Sequence, residues 1–146
     1  SLSLLSAFTV VAYLKAITNI ACPWDLALFG GTEPYIHLLQ RRPAYLPYEQ
    51  CFPAGHASVG YAWVALYFYF LPVCARKAQT GLTIALLLGV LLGVTQQLRG
   101  AHFLSHNLWT LLIDWVICLV TYRLVLYRAP AVQAQHTQLA WGGQGQ

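Results

Sequence analysis

Charged residues are scarce in this chain, and methionine is absent altogether. Only 8% of the 146 residues are charged, whereas 58% are hydrophobic. An average soluble domain has roughly a quarter of its residues charged, because polar side chains must cover its core. The scarcity of charge excludes a disordered or fibrous protein and disfavours a soluble globule. We therefore expect an integral membrane protein.

Basic residues are also too few and too scattered to indicate a nucleic-acid partner. The net charge is +4, and no basic cluster is longer than the pairs Arg41-Arg42 and Arg76-Lys77. In a membrane protein such a modest excess is better interpreted as a signal of topology. Because methionine is missing and the first residues are already apolar, we expect the chain to be the C-terminal part of a longer protein.

Four apolar segments are each close to the length that crosses a bilayer. They cover residues 2–21, 57–74, 79–98 and 103–126. About 20 helical residues span the ~30 Å hydrocarbon layer, and backbone polar groups in lipid must be paired within the helix. The third segment carries Gly81, Gly89 and Gly93, whose small size permits close contact between helices. The predicted fold class is an all-α, polytopic transmembrane helix bundle.

Flanking charges predict which membrane face each connection occupies. Arg76 and Lys77 lie between the second and third segments, and Arg123 lies at the exit of the fourth. The positive-inside rule assigns these ends to the cytoplasm. The proline- and aromatic-rich loop of residues 22–56 and the tight turn of residues 99–101 then share the opposite face.

This topology separates the four cysteines into two pairs. Cys22 and Cys51 fall on the non-cytoplasmic face, where a disulfide persists. The alternative is that they are two unrelated small apolar residues, and the sequence leaves both readings open. Cys74 and Cys118 fall toward the cytoplasm and are expected to be reduced.

Polar side chains gather at the helix ends on the non-cytoplasmic face. Lysine and arginine hold the charge of an anion, and free N–H groups at a helix start bind phosphate oxygens. Imidazole supplies a nucleophile and an acid near neutral pH. Phosphoryl transfer needs charge neutralisation, an in-line nucleophile and a proton for the leaving group. The residues concerned are Lys15, Gly55, His56, Gln96, Gln97, Arg99, His102, Ser105, His106 and Asn107.

The spacing of these residues resembles that of the type-2 phosphatidic acid phosphatase family. Members are integral membrane lipid phosphatases related to the vanadium haloperoxidases, and they carry the motifs Lys-x6-Arg-Pro, Pro-Ser-Gly-His and Ser-Arg-x5-His-x3-Asp. The corresponding segments here are Lys15 to Pro23, Pro53 to His56, and Thr95 to His106. The motif order matches the family's six-helix plan, so the resemblance implies that residues 1–128 form the last four helices of such a bundle.

Several motif positions depart from the family's pattern. Cys22 stands in place of an arginine, and Ala54 stands in place of a serine. Thr95-Gln96 replaces Ser-Arg, and His106 replaces the aspartate that orients the nucleophile.

The resemblance implies a role for each candidate site residue. His102 would attack phosphorus and form a phosphohistidine, His56 would protonate the leaving group, and His106 would orient His102. No metal or other cofactor is implied. Arg99, one helical turn after Gln96, is expected to substitute for the missing arginine. The residues expected to bind phosphate oxygens are Lys15, Arg99, Gly55 and Gln96.

The resulting hypothesis is a metal-independent hydrolase acting on a phosphomonoester or pyrophosphate of a lipid. We expect it in a bacterial inner membrane, with its active site on the periplasmic face. Residues 129–146, rich in glutamine and glycine, are expected to form a disordered tail. Asp114, near the middle of the fourth segment, is expected to have a structural, hydrogen-bonded role.

Other functions remain open at this stage. A catalytically weakened relative that binds phospholipid or acts as a membrane scaffold is one alternative, because residues of all three motifs are substituted. A lipid phosphotransferase using the same phosphohistidine is another. His102 and His106, four residues apart on one helix, also have the spacing of a metal-binding pair.

Overall fold

The computed structural model describes residues 2–37 and 40–126, and helices dominate it. A single 3-10 turn, Ala62–Val64, joins the second and third helices, and a π-helical turn, Tyr122–Leu126, follows the last. No β-strand occurs in these two ranges, so the predicted all-α fold is confirmed. The predicted tail, residues 129–146, lies outside them. The helices are α1 (Leu2–Thr18), α2 (Gly55–Tyr61), α3 (Ala65–Phe70), α4 (Ala75–Leu98) and α5 (Leu104–Thr121).

Three helical stretches are long and apolar enough to cross a membrane. They are Leu2–Asp25, Ala75–Leu98 and Leu104–Val125. Large apolar side chains on all three, such as Leu5, Leu87 and Leu112, are exposed on the outside of the bundle. Lipid accommodates such a surface, so the chain is a membrane protein.

The second predicted segment is not one uniform helix, and that prediction is wrong in detail. The helix begins at Gly55, tightens at Ala62–Val64 and resumes as α3. The ψ angles of Ala62 and Val64 are −22° and −21°, which is the 3-10 range, so the path stays helical but winds more tightly. It ends at Phe70 because Pro72 has no N–H with which to extend the ladder.

The third predicted segment begins four residues too late. Arg76 and Lys77, predicted to lie in a loop, are in the first turn of α4 instead. The helix starts there because Cys74 is extended, with φ −156° and ψ 107°. At the other end the predicted turn is present, and Gly100 has a φ of 71°, which glycine adopts without strain.

Glycines bring the helices into backbone contact around α4, as predicted. A Cβ on Gly60 would lie 2.3 Å from the backbone nitrogen of Gly89. A Cβ on Gly93 would lie 2.3 Å from the Asn107 side chain. These contacts hold α2 and α5 tightly against α4 and fix the relative heights of the helix ends.

The loop between α1 and α2 is fastened to the bundle. Cys22 and Cys51 form a disulfide, which decides between the two readings that the sequence left open. The Cys51 N–H donates to the Ile20 carbonyl at 3.0 Å, and the Trp24 N–H donates to the Gly100 carbonyl at 3.0 Å. The loop is therefore anchored to the end of α1 and to the α4–α5 turn.

A buried ion pair stabilises the middle of the same loop. Arg42 pairs with Glu33, and both side chains are almost completely buried. The Arg42 Nε also donates to the Pro47 carbonyl at 3.1 Å. Arg42 thus has a structural partner within the loop, which its position beside Arg41 in the sequence did not reveal.

Candidate active site

His102 lies at the centre of the polar cluster, on the short connection between α4 and α5. Its side chain is buried, with 7% of the residue exposed. The Nδ1 atom lies 3.5 Å from the Cys51 Sγ. Because that sulfur belongs to a disulfide and has no proton, it is at most a weak acceptor. The disulfide packs against the Nδ1 edge of the imidazole, so Nε2 is the nitrogen that points away from the disulfide.

His106, in the first turn of α5, packs beside His102. The two ring centroids are 5.8 Å apart and the rings are inclined at 62°. Phe52 and Phe103 each contact His106 with centroid distances of 5.3 Å. The His106 Nδ1 is buried and has no hydrogen-bond partner among the described residues. The two imidazoles therefore meet edge to face, with aromatic rings restricting His106.

Lys15 approaches the start of α2 from α1. Its Nζ lies 3.7 Å from the position that a Cβ on Gly55 would occupy. Ala54 precedes the helix and provides no side-chain cap, so the first N–H groups of α2 are not covered by a capping side chain. His56 is exposed in the same turn. The Lys15 ammonium group thus lies beside the N–H donors at the start of α2, and His56 belongs to the same helical turn.

The pKa of His102 depends on its burial and on the neighbouring charged and titratable groups. Burial is the largest cause that lowers the pKa of His102 to about 4, and the nearby side chains of Lys15, His106 and His56 act in the same direction. A backbone hydrogen bond with Cys51 acts in the opposite direction. His102 is consequently neutral at pH 7, with a lone pair available. Lys15 and His56, which come from the other two motifs, are close enough to His102 to influence its pKa.

Arg99 and Gln96 lie on the turn that leads to His102. Arg99 is exposed immediately after α4, and its side chain forms no hydrogen bond or ion pair within the part of the chain that the structure describes. It is not among the charges that lower the pKa of His102. Gln96 is half-buried, and its backbone carbonyl accepts a hydrogen bond from the Ala101 N–H at 2.9 Å. Phosphate binding by either side chain stays a prediction.

Thr110 holds the two halves of the cluster together, and sequence reasoning missed it. Its hydroxyl accepts from the Ala54 N–H at 2.9 Å and donates to the His106 carbonyl at 2.7 Å. The start of α2 is thereby fixed to α5. A single threonine in an apolar helix gives no sequence signal of this, because its partner lies 56 residues away.

Asp114 lies deeper in the bundle, away from the helix ends. It is fully buried, and its Oδ1 accepts a hydrogen bond from the Ser58 hydroxyl at 3.2 Å. This contact is the structural, hydrogen-bonded role expected from the sequence.

A cavity of about 210 Å³ opens on the far side of His106, beneath the loop. It has aromatic walls that include Tyr35 and Trp109, and its polar lining includes His37, Arg42 and Ser105. Lys15, His56 and His102 do not line it. Among Lys15, His56, His102 and His106, only His106 borders this cavity.

The residues able to ligate a metal converge at the same place. One atom each from Cys51, His102 and His106 lie within 4.8 Å of one another, and all three residues are buried. The Cys51 sulfur is bonded to Cys22 and is not a thiolate. In the disulfide form only the two imidazoles have metal-binding lone pairs.

Comparison with known proteins agrees with this arrangement. The family model described as the PAP2 superfamily matches residues 1–130. No curated protein and no solved structure matches the chain significantly. Since the match covers most of the chain, the chain belongs to the PAP2 superfamily. Membership indicates a phosphatase-type activity on a phosphorylated substrate.

Proposed function

We propose that this PAP2 superfamily member hydrolyses a phosphomonoester or diphosphate carried by a lipid, through a phosphohistidine on His102. The observation that carries the proposal is a buried imidazole, His102, close to the Lys15 ammonium group at the start of α2, with its pKa lowered by burial and by Lys15. A neutral imidazole is a nucleophile, and the surrounding positive groups suit a phosphate dianion.

The chemistry follows from the orientation of His102. Its Nδ1 faces the disulfide at 3.5 Å, so Nε2 attacks phosphorus. Lys15 and the N–H groups at the start of α2 bind the phosphate oxygens and neutralise charge that develops in the transition state. His56 donates a proton to the leaving oxygen. Water then attacks the phosphorus, His56 takes its proton, and phosphate leaves with His102 restored.

A lipid substrate suits the surroundings of the cluster. The cluster lies at the ends of helices whose outer surfaces are apolar, so a lipid phosphate enters laterally while its chains stay in the bilayer. The Cys22–Cys51 disulfide favours a non-cytoplasmic location, such as the periplasmic face of a bacterial inner membrane. No step requires a metal ion.

The remaining residues have supporting roles in this proposal. His106, wedged between Phe52 and Phe103, restricts the rotation of the His102 ring. Arg99 is long enough to fold toward the phosphate from the adjacent turn, and Gln96 offers a second donor. If Arg99→Ala leaves kcat/KM unchanged while Gln96→Ala lowers it, Arg99 does not substitute for the family's arginine.

The test is phosphate release by the purified full chain in detergent, with a chelator present. Substrates are phosphatidic acid, phosphatidylglycerol phosphate, a phosphorylated glycolipid and a polyprenyl diphosphate. We expect chelator-resistant release from at least one, and loss of that release in His102→Ala. His37→Ala is the matched control, since His37 is an exposed histidine outside the cluster, and it should retain kcat.

A second candidate function is phospholipid binding without turnover. It is favoured by His106, an imidazole with an unpartnered nitrogen at the position where the family has a carboxylate. If the folded wild-type protein releases no phosphate from any substrate but binds the same lipids, the hydrolase proposal is wrong. Transfer of phosphate to an added acceptor lipid instead of water would identify a phosphotransferase.

A further inference from the structure

We propose that reduction of the Cys22–Cys51 disulfide creates a zinc site whose ligands are Cys51, His102 and His106. The site would be absent in the oxidised protein and present in the reduced one. The inference goes beyond the proposed hydrolysis and does not depend on it, because metal binding is measured without any substrate.

The geometry is close to that of a tetrahedral zinc site. Zn–S and Zn–N bonds of about 2.3 and 2.0 Å at a tetrahedral angle place sulfur and nitrogen roughly 3.5 Å apart. The Cys51 Sγ and the His102 Nδ1 are already 3.5 Å apart. The His106 ligand atom lies within 4.8 Å of both, so the imidazole has to move closer, against its contacts with Phe52 and Phe103, to complete the set.

The three side chains are also well placed to retain a metal. All three are buried, and the His106 Nδ1 has no hydrogen-bond partner among the described residues, while the same ring has a backbone hydrogen bond with Cys51 that the metal would have to replace if it bound the other nitrogen. His102 approaches from the connection before α5, His106 from the first turn of α5, and Cys51 from the loop. Three protein ligands leave a fourth position for a water molecule, as in open zinc sites.

Reduction releases the required ligand directly. Cys22 is half-buried, whereas Cys51 is fully buried, so a thiolate from solvent reaches the Cys22 sulfur first. Attack on Cys22 breaks the S–S bond and expels Cys51 as a thiolate. With a dithiol reductant, its second thiol then displaces Cys22, and the reductant becomes a disulfide. The Cys51 thiolate and the two imidazoles bind Zn²⁺ in place of solvent.

Zinc binding would also switch off the proposed hydrolysis. A metal on the His102 Nδ1 leaves the imidazole proton on Nε2, which then has no lone pair for attack on phosphorus. This consequence alone rests on the proposed function. We expect micromolar Zn²⁺ to inhibit the reduced protein and not the oxidised one.

The experiment uses Cys22→Ser in the full chain, which frees Cys51 without any reductant. Co²⁺ is titrated into the detergent-solubilised protein, and absorbance reports thiolate-to-cobalt charge transfer and tetrahedral d–d bands. We expect one equivalent to bind with both signals. The matched control is Cys22→Ser/Cys51→Ser, which lacks the disulfide, keeps both histidines and the free thiols Cys74 and Cys118, and should show no charge-transfer band.

A second preparation guards against misfolding of Cys22→Ser. Wild-type protein is reduced with a phosphine and then desalted before Co²⁺ is added. In the reduction the phosphine becomes the phosphine oxide, and water supplies the oxygen and the two protons. Oxidised wild type should show no charge-transfer band, reduced wild type should show it, and reduced His106→Ala should bind at least tenfold more weakly. Absence of the band in reduced wild type, or its persistence in the double variant, would overturn the proposal.

Discussion

Thr110 offers a quantitative test of how the bundle positions the site. The residue is fully buried, and its hydroxyl is the acceptor for the buried Ala54 N–H at 2.9 Å. Thr110→Val preserves the shape and removes the hydroxyl, so the N–H is left without a partner. A buried unsatisfied donor costs about 1–3 kcal/mol. We expect the free energy of unfolding to fall by that amount.

The same change should impair turnover. Ala54 directly precedes Gly55 and His56, so release of its N–H loosens the start of α2 relative to His106 and lowers kcat. Unfolding is followed by tryptophan fluorescence during titration of mixed micelles with dodecyl sulfate, and turnover by phosphate release. Thr110→Ser is the control, because it loses only a methyl group, about 0.8 kcal/mol, and keeps the hydroxyl. A Thr110→Val protein with wild-type stability and kcat would refute the reasoning.

Three further predictions concern charge, packing and protonation. Lys15→Met should lower kcat/KM for phosphate release by about 10²-fold, as loss of a transition-state donor does, and an unchanged value would remove Lys15 from the site. Gly89→Ala places a Cβ 2.0 Å from the Tyr61 ring. The free energy of unfolding, measured by dodecyl sulfate titration, should fall by about 1–3 kcal/mol. Val90→Ala, at an exposed neighbouring position, is the control and should change the free energy of unfolding by less than about 0.5 kcal/mol. Because the pKa of His102 is lowered to about 4, its imidazole should stay neutral as the pH falls from 7 to 5. Diethyl pyrocarbonate should therefore modify His102 at a constant intrinsic rate over that range, as measured by peptide mass spectrometry. A rate that falls by half near pH 6.5 would contradict the burial argument.

Hydrophobic length and glycine spacing were sufficient to predict the bundle. Three of the four apolar segments correspond to helices long enough to cross a membrane, because few other structures satisfy the backbone in lipid. Gly89 and Gly93 marked the close contacts around α4, since a side chain there would overlap a neighbour. Helix ends were less predictable: the extended conformation of Cys74 and the tight winding at Ala62 depend on local dihedral angles that apolar patterning does not encode.

Candidate site residues were predictable where chemistry depends on residue type and spacing. Lys15, His56 and His102 recur at the family's intervals and are close enough to interact electrostatically, while their catalytic roles stay a prediction. The supporting contacts were not predictable, because they join residues far apart in sequence. The Thr110–Ala54 hydrogen bond and the contact of Cys51 with His102 each span more than 50 residues, and neither follows a periodic pattern.

The most direct test of the account is whether a phosphoryl group becomes attached to His102 during turnover. The full chain is mixed with radiolabelled lipid phosphate, quenched within milliseconds at alkaline pH, where phosphohistidine survives, and digested for peptide mapping. The account predicts label on the peptide containing His102, formed at least as fast as phosphate is released and absent from His102→Ala. Turnover without a labelled enzyme, or label that persists in His102→Ala, would contradict it.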